Sequence, residues 1–138
     1  MSEKGMRQRV VKALKGLDAI SVENPAYPGT PDVNYIGGWL ELKWKRCWPK
    51  GVDTPLKMPH FTPQQKVWLT RRSRKGGAAF VLLQVGQEYL LLMPDDAADF
   101  LGNSPMWRLR KLAIWSGEGH SSLNHLKTFL QHHGMEDQ

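Results

Sequence analysis

The sequence predicts an α/β domain in which helices pack on a mixed five-stranded sheet, followed by a small helical appendage. Three observations carry this expectation. Apolar residues recur at helical spacing over residues 2–17, and apolar runs of strand length bounded by glycine occupy the middle of the chain. A capped basic helix divides those runs into a group of three and a pair. Helix, strands, helix, strands, helix is the pattern of that class. At 138 residues the chain fits one domain with a modest core, residues 1–95 supplying the core and 96–138 the appendage.

The first helix is expected over residues 2–17, with Ser2 as cap and Met6, Val10, Ala13, Leu14 and Leu17 on one face; Gly5 weakens its first turn. "AISVEN" (19–24) reads as a short strand that the Pro- and Gly-rich "PAYPGTP" ends. Strands near 32–36 and 39–44 form a hairpin about Gly37-Gly38. A two-residue turn there pairs Ile36 with Trp39, Asn34 with Glu41 and Asp32 with Lys43. Residues 45–61, with three prolines and four basic residues, read as a long loop. Thr62 caps a helix to about residue 75, with Pro63 at its first position, Gln65 completing a capping box and Gly76-Gly77 ending it. "AAFVLLQV" and "EYLLLM" are a strand pair, the first apolar enough to be covered on both faces. "PDDAADFLG" is a short helix whose early acids suit the helix dipole. "SPMWRLRKLAIWSGEGH" is ambiguous, and "SSLNHLKTFLQHH" is a final helix.

Composition narrows the function. The chain is 41% hydrophobic and 23% charged, which excludes disorder. No apolar run approaches the roughly 20 residues that span a bilayer, and the charged N-terminus has no signal-peptide pattern. A soluble, cytoplasmic protein with no membrane partner is the expectation. The single Cys47 excludes an internal disulfide and a cysteine-cluster zinc site. The net charge of +6 is concentrated: from Lys43 to Lys75 ten Lys or Arg residues face one acid, Asp53. Such a block suits a phosphate backbone, although a solvated basic surface would look the same. The candidate DNA contacts are Lys45, Arg46, Trp48, Lys50, Lys57, Arg71, Arg72, Arg74 and Lys75.

The hairpin holds the chemistry. Glu41 and Lys43 share a strand face with Trp39, while Leu40, Leu42 and Trp44 face the other way. The turn arithmetic brings Asp32 and Asn34 to the same polar face. Close carboxylates repel unless a proton or a cation sits between them, and oxygen ligands favour Mg²⁺ or Mn²⁺. A lone E-x-K triplet is commonly just a salt-bridged solvent face. This one is set apart by Asp32 nine residues earlier, by the alignment and by the basic block that follows.

Gly29-Thr30-Pro31-Asp32, Glu41-Leu42-Lys43, Gln65 with Trp68-Leu69, and Gly76 together resemble the PD-(D/E)XK nuclease superfamily, especially its VRR-Nuc branch, over residues 2 to about 93. The resemblance implies a restriction-endonuclease-like core in which Asp32, Glu41 and the Leu42 carbonyl bind Mg²⁺, with Mn²⁺ as a substitute. Lys43 would orient or activate the attacking water. It also suggests site roles for Gln65 and for an acid on the first helix, Glu3, against the alternatives of a capping residue and a first-turn acid. The implied activity is Mg²⁺-dependent DNA endonuclease cleavage, structure-specific on branched DNA such as four-way (Holliday) junctions. A homodimer and a bacteriophage origin go with that reading, the latter placing the protein in a bacterial host cytoplasm. Trp107, Leu109, Leu112 and Trp115 are candidate dimer contacts. The alternatives are a nuclease for linear or damaged duplex, and a binding module without catalysis. His60 reads as an ordinary loop histidine, and His120, His125, His132 and His133 lack the companions of a zinc site. Trp44 is core by strand parity, leaving Trp48 as the base-stacking candidate.

Overall fold

In the computed structural model, which describes residues 2–136, helix α1 (Glu3–Ala13) starts where the Ser2 hydroxyl accepts from the Gly5 amide. It buries Met6 and Val10 and ends earlier than its apolar spacing suggests, a separate 3-10 turn at Lys15–Leu17 carrying Leu17 inward. The sheet runs β1 (Ile20–Ser21), β2 (Val33–Tyr35), β3 (Gly38–Lys45), β4 (Ala78–Val85), β5 (Glu88–Leu92) and β6 (Trp115–Glu118), neighbours in chain order. Every adjacent pair is antiparallel except β3 and β4. Parallel neighbours need a long crossover, and helix α2 (Pro63–Arg74) lies within it. Helices α3 (Pro94–Phe100), α4 (Met106–Leu112) and α5 (Leu123–Glu136) complete the α/β fold.

The sheet therefore has six strands where five were expected. The additional β6 comes from "WSGE" in the ambiguous segment, pairing Tyr89 with Gly117 and Leu91 with Trp115. The C-terminal segment is thus not purely helical. Leu123, Leu126 and Leu130 of α5 join Met6 and Val10 of α1 and its C-cap Leu14 over Leu40, Leu42, Phe80 and Leu82 in one apolar layer. On the opposite sheet face Trp68 and Leu69 of α2, Ala97 of α3 and Leu109 of α4 pack on Ala79, Val81, Leu83, Leu90 and Leu92. The continuous apolar run of β4 follows from this double cover.

The hairpin register differs from expectation by two residues. Tyr35 pairs with Gly38, Asn34 with Trp39 and Val33 with Leu40, so the turn is Ile36-Gly37. The cause is tertiary: Gly38 opens the parallel ladder opposite Ala78, where a Cβ would collide with the Ala78 carbonyl. Gly38 is a strand residue chosen for close approach, not a turn residue. A slip of two keeps every side chain on its face. Continuing the register brings Asp32 level with Glu41 rather than Lys43, and Pro31 opposite Leu42.

The 45–61 segment is also more anchored than a free loop. Leu56, Met58 and Phe61 are buried in the α2-side core, and the Leu56 amide donates to the Ser104 carbonyl at 2.9 Å. Among the described residues no helix is long and apolar enough to cross a membrane.

Candidate functional site

Strand alternation sorts β3 into two sets. Leu40, Leu42 and Trp44 enter the α1/α5 layer, whereas Trp39, Glu41 and Lys43 face α2. Both ionisable groups are deeply buried: Glu41 retains 1% of its surface and Lys43 3%. Burying charges costs heavily unless they are paired and hydrogen-bonded, so their partners define the site.

Lys43 is fully employed. Its Nζ donates to Gln65 Oε1 at 2.9 Å and to the His60 carbonyl at 3.1 Å, lies 3.4 Å from Glu41 Oε2 and sits over the Phe61 ring. Gln65 is positioned by the start of α2. Its Oε1 also accepts from the Thr62 amide at 3.0 Å, while its backbone N–H donates to the Thr62 hydroxyl. The capping and site alternatives for Gln65 are thus met together, because the cap points its carbonyl oxygen at β3. His60 contributes its backbone and leaves its ring exposed.

Asp32 is held from two sides. Its Oδ2 accepts from the Leu42 amide at 2.9 Å, and its Oδ1 accepts from Arg7 Nη2 of α1 at 2.8 Å. Gly29 allows this approach. It has a φ of +94°, and a Cβ there would lie 2.5 Å from the Gln64 carbonyl. The segment bearing Asp32 is thereby pressed against the first turn of α2.

Glu41 is the least satisfied member. Its Oε1 is buried without a hydrogen-bond partner. Burial foremost, and then the neighbouring Asp32 carboxylate, push its carboxyl up to about 9 against the opposing pull of Lys43. A carboxyl in this position either keeps its proton or needs a cation. No protein-family model matches the chain, and no curated protein matches it significantly. The reading of the site therefore rests on its own geometry.

Its donors suit a hard divalent ion. Glu41 Oε1 is an orphaned acceptor, and Asp32 adds carboxylate oxygens. Amide and carbonyl of one strand residue leave by the same edge, so the Leu42 carbonyl, like its amide, leaves toward the Asp32 side. Pro31 opposite has no N–H to offer it. Among the described residues no three His, Cys, Asp or Glu side chains gather. A set of two carboxylates, one carbonyl and waters is the Mg²⁺ pattern.

The other expected residues are dispersed. Glu3 is exposed in the first turn of α1 and, among the described residues, makes no hydrogen bond or ion pair with the site. The α1 residue that does reach it is Arg7, which sequence reasoning misses because the basic residues of α1 look alike. Arg46, Lys50, Lys57, Arg71, Arg74 and Lys75 are exposed, and Lys45 is half-buried at the end of β3. Arg72 is engaged, its guanidinium 4.4 Å from the Trp68 ring. Trp48 is engaged as well: its Nε1 donates to Glu88 at 2.9 Å, Arg110 lies over its ring, and Arg110 binds Glu88 through two bonds. Of the candidate dimer contacts, Leu109 is buried in the core, whereas Trp107 stays 46% exposed although its Nε1 donates to Asp53 at 2.9 Å.

Proposed function

We propose that this chain is a metal-dependent DNA endonuclease that hydrolyses phosphodiester bonds. The finer reading is structure-specific cleavage of branched DNA by a homodimer, since cutting two strands calls for two sites related by symmetry. The observation that carries the reading is Glu41: a buried carboxyl with an unpartnered oxygen beside a second carboxylate and an ammonium group. As structural filler this is a poor choice, because apolar replacements for buried ions are often at least as stable. Strongly perturbed groups of this kind cluster at functional sites.

A Mg²⁺ ion held by Asp32, Glu41 and the Leu42 carbonyl would supply Lewis-acid polarisation of the phosphate and a more acidic water. The chain's own residues do the remaining work. Gln65 and the His60 carbonyl fix the Lys43 ammonium, so its positive charge would be prepositioned for the negative charge that a pentacovalent phosphate gathers. A prepositioned charge of this kind needs no reorganisation during the reaction. Arg7 and the Leu42 amide hold the Asp32 carboxylate in one orientation. The exposed Lys and Arg residues of the 45–75 block attract the backbone without reading sequence.

The test compares four-way junction, flap and linear duplex DNA with the wild-type, Lys43→Ala and Glu41→Ala proteins in Mg²⁺, Mn²⁺ and EDTA. Cleavage by the wild type with either metal, reduced about 100-fold or more in both variants with DNA binding kept, supports the reading. DNA binding without cleavage in either metal makes the chain a binding module. Equal cleavage of linear duplex removes the branch preference.

A further inference from the structure

Beside the candidate site lies a groove of about 390 Å³ lined by Tyr27, Pro28, Pro63, Gln64, Val67, Trp68 and Arg71. Two of its residues are conspicuous. Tyr27 is 68% exposed and Val67 60% exposed, one on the loop before Asp32 and the other on α2. Few large apolar side chains of the described chain stand so far into solvent, and these two line one groove.

The groove is mechanically joined to the site. Tyr27-Pro28 leads directly into Gly29, whose backbone abuts the Gln64 carbonyl, and Gln64 adjoins the Gln65 that holds Lys43. The Tyr27 carbonyl accepts the Thr30 hydroxyl at 2.7 Å, which braces the loop two residues before Asp32. At the rim, Arg71 stands exposed on the basic end of α2. A flat apolar ring, an apolar opposing wall and an adjacent guanidinium match a nucleobase with its phosphate. A base that is still paired and stacked in duplex cannot enter such a cleft without being unstacked.

We infer that this groove takes the unstacked base of a nucleotide next to the cleaved phosphate, with Tyr27 as stacking platform and Arg71 on the adjoining phosphate. The inference rests on the nuclease reading and narrows it to DNA with unpaired nucleotides at the cut, as at a flap or branch point. The occupant is nucleic acid rather than peptide because the flanking end of α2 is basic and because, on the nuclease reading, the neighbouring site handles a phosphodiester.

The experiment measures equilibrium binding of a flap DNA and of a linear duplex of equal length, in EDTA, by fluorescence anisotropy. Wild type, Tyr27→Ala and Tyr27→Phe are compared. The wild type should favour the flap, Tyr27→Ala should lower that preference about fivefold or more, and Tyr27→Phe should retain it, since stacking needs only the ring. Val67→Asp provides an independent variant on the opposite wall and should lower the preference likewise. Circular dichroism confirms folding; should Tyr27→Ala fail it, Val67→Asp decides the matter alone. A wild type without preference, or a preference that survives Tyr27→Ala and Val67→Asp, overturns the inference, and a peptide-binding groove would give that second result. Because binding is read without cleavage, the two failures are distinguishable: an inactive protein would refute the nuclease reading, while the anisotropy ratios would still decide whether the groove holds a base.

Discussion

Replacing Glu41 with glutamine should make the metal-free protein more stable and flatten its response to pH. Glu41 is 1% exposed, and its carboxyl is raised from 4.5 to about 9 by burial and by Asp32. The folded protein therefore keeps a proton on this group that the unfolded chain releases above its ordinary range. The stability contributed by the protonated carboxyl is complete below about pH 4.5 and is lost as pH rises toward about 9. Each pH unit inside that window costs about 1.4 kcal/mol. Between about pH 5 and pH 8 the wild type should lose up to about 4 kcal/mol from Glu41 alone, a loss that the Glu41→Gln protein escapes. Glutamine nearly matches the volume, and its amide can donate toward Asp32, so packing is preserved. Urea denaturation of both proteins in EDTA at four pH values gives the difference in unfolding free energy, from which shared titrations cancel. The difference should widen steadily with pH in favour of the variant. Parallel curves would show that Glu41 is ionised and fully accommodated in the folded chain, and would refute the argument from its burial.

Substitutions at two positions probe how the site is held. Gly29→Ala combines a φ of +94° with a Cβ 2.5 Å from the Gln64 carbonyl; it should lower stability by about 1–3 kcal/mol and reduce cleavage by moving Asp32 away from α2, both read from one urea and one nuclease series. Gln65→Leu should cost about 1–3 kcal/mol, because it removes the acceptor of the buried Lys43 ammonium along with the Gln65 half of the capping box, and reduce cleavage further than that loss explains, whereas Gln65→Glu, which still offers Thr62 and Lys43 an oxygen, should keep the stability; equal denaturation midpoints for the two variants would contradict the shared role of Oε1.

Local rules carried the reading where local forces decide. Met6 and Val10 on one face of α1, Thr62 with Gln65 in a capping box, and the doubly covered run of β4 were all legible. Parity within β3 was legible too, because alternation separates Glu41 and Lys43 from Leu40, Leu42 and Trp44 without any knowledge of neighbours. The register was not. Either of two adjacent glycines could centre the turn, and the choice is made by the contact of Gly38 with Ala78, forty residues away. Strand β6 is not legible in the sequence because "WSGE" alternates half-buried and exposed residues with little apolar content, and only its ladder to β5 makes it a strand. For Glu3 the structure shows the first-turn alternative: with Ser2 as cap it is the first helical residue, and it is exposed.

The early end of β2 explains why the site forms where it does. Its ladder with β3 stops at Val33 opposite Leu40. One more hydrogen-bonded pair would set residue 31 against Leu42, and residue 31 is proline, which can donate nothing to a ladder. What proline withholds is a donor for the Leu42 carbonyl; with the ladder already ended, the Leu42 amide is taken by Asp32 Oδ2 at 2.9 Å, which fixes that carboxylate beside Glu41. The Leu42 carbonyl is left on the same edge without a backbone donor from that side. A strand residue with an N–H at position 31 would close the ladder, occupy the carbonyl and compete with Asp32 for the amide. The Pro-Asp pair therefore does two jobs by elementary means: proline opens the edge of the sheet, and aspartate occupies half of what is opened. On the proposed reading, the half that remains, a carbonyl close to two carboxylates, is the place a cation would take.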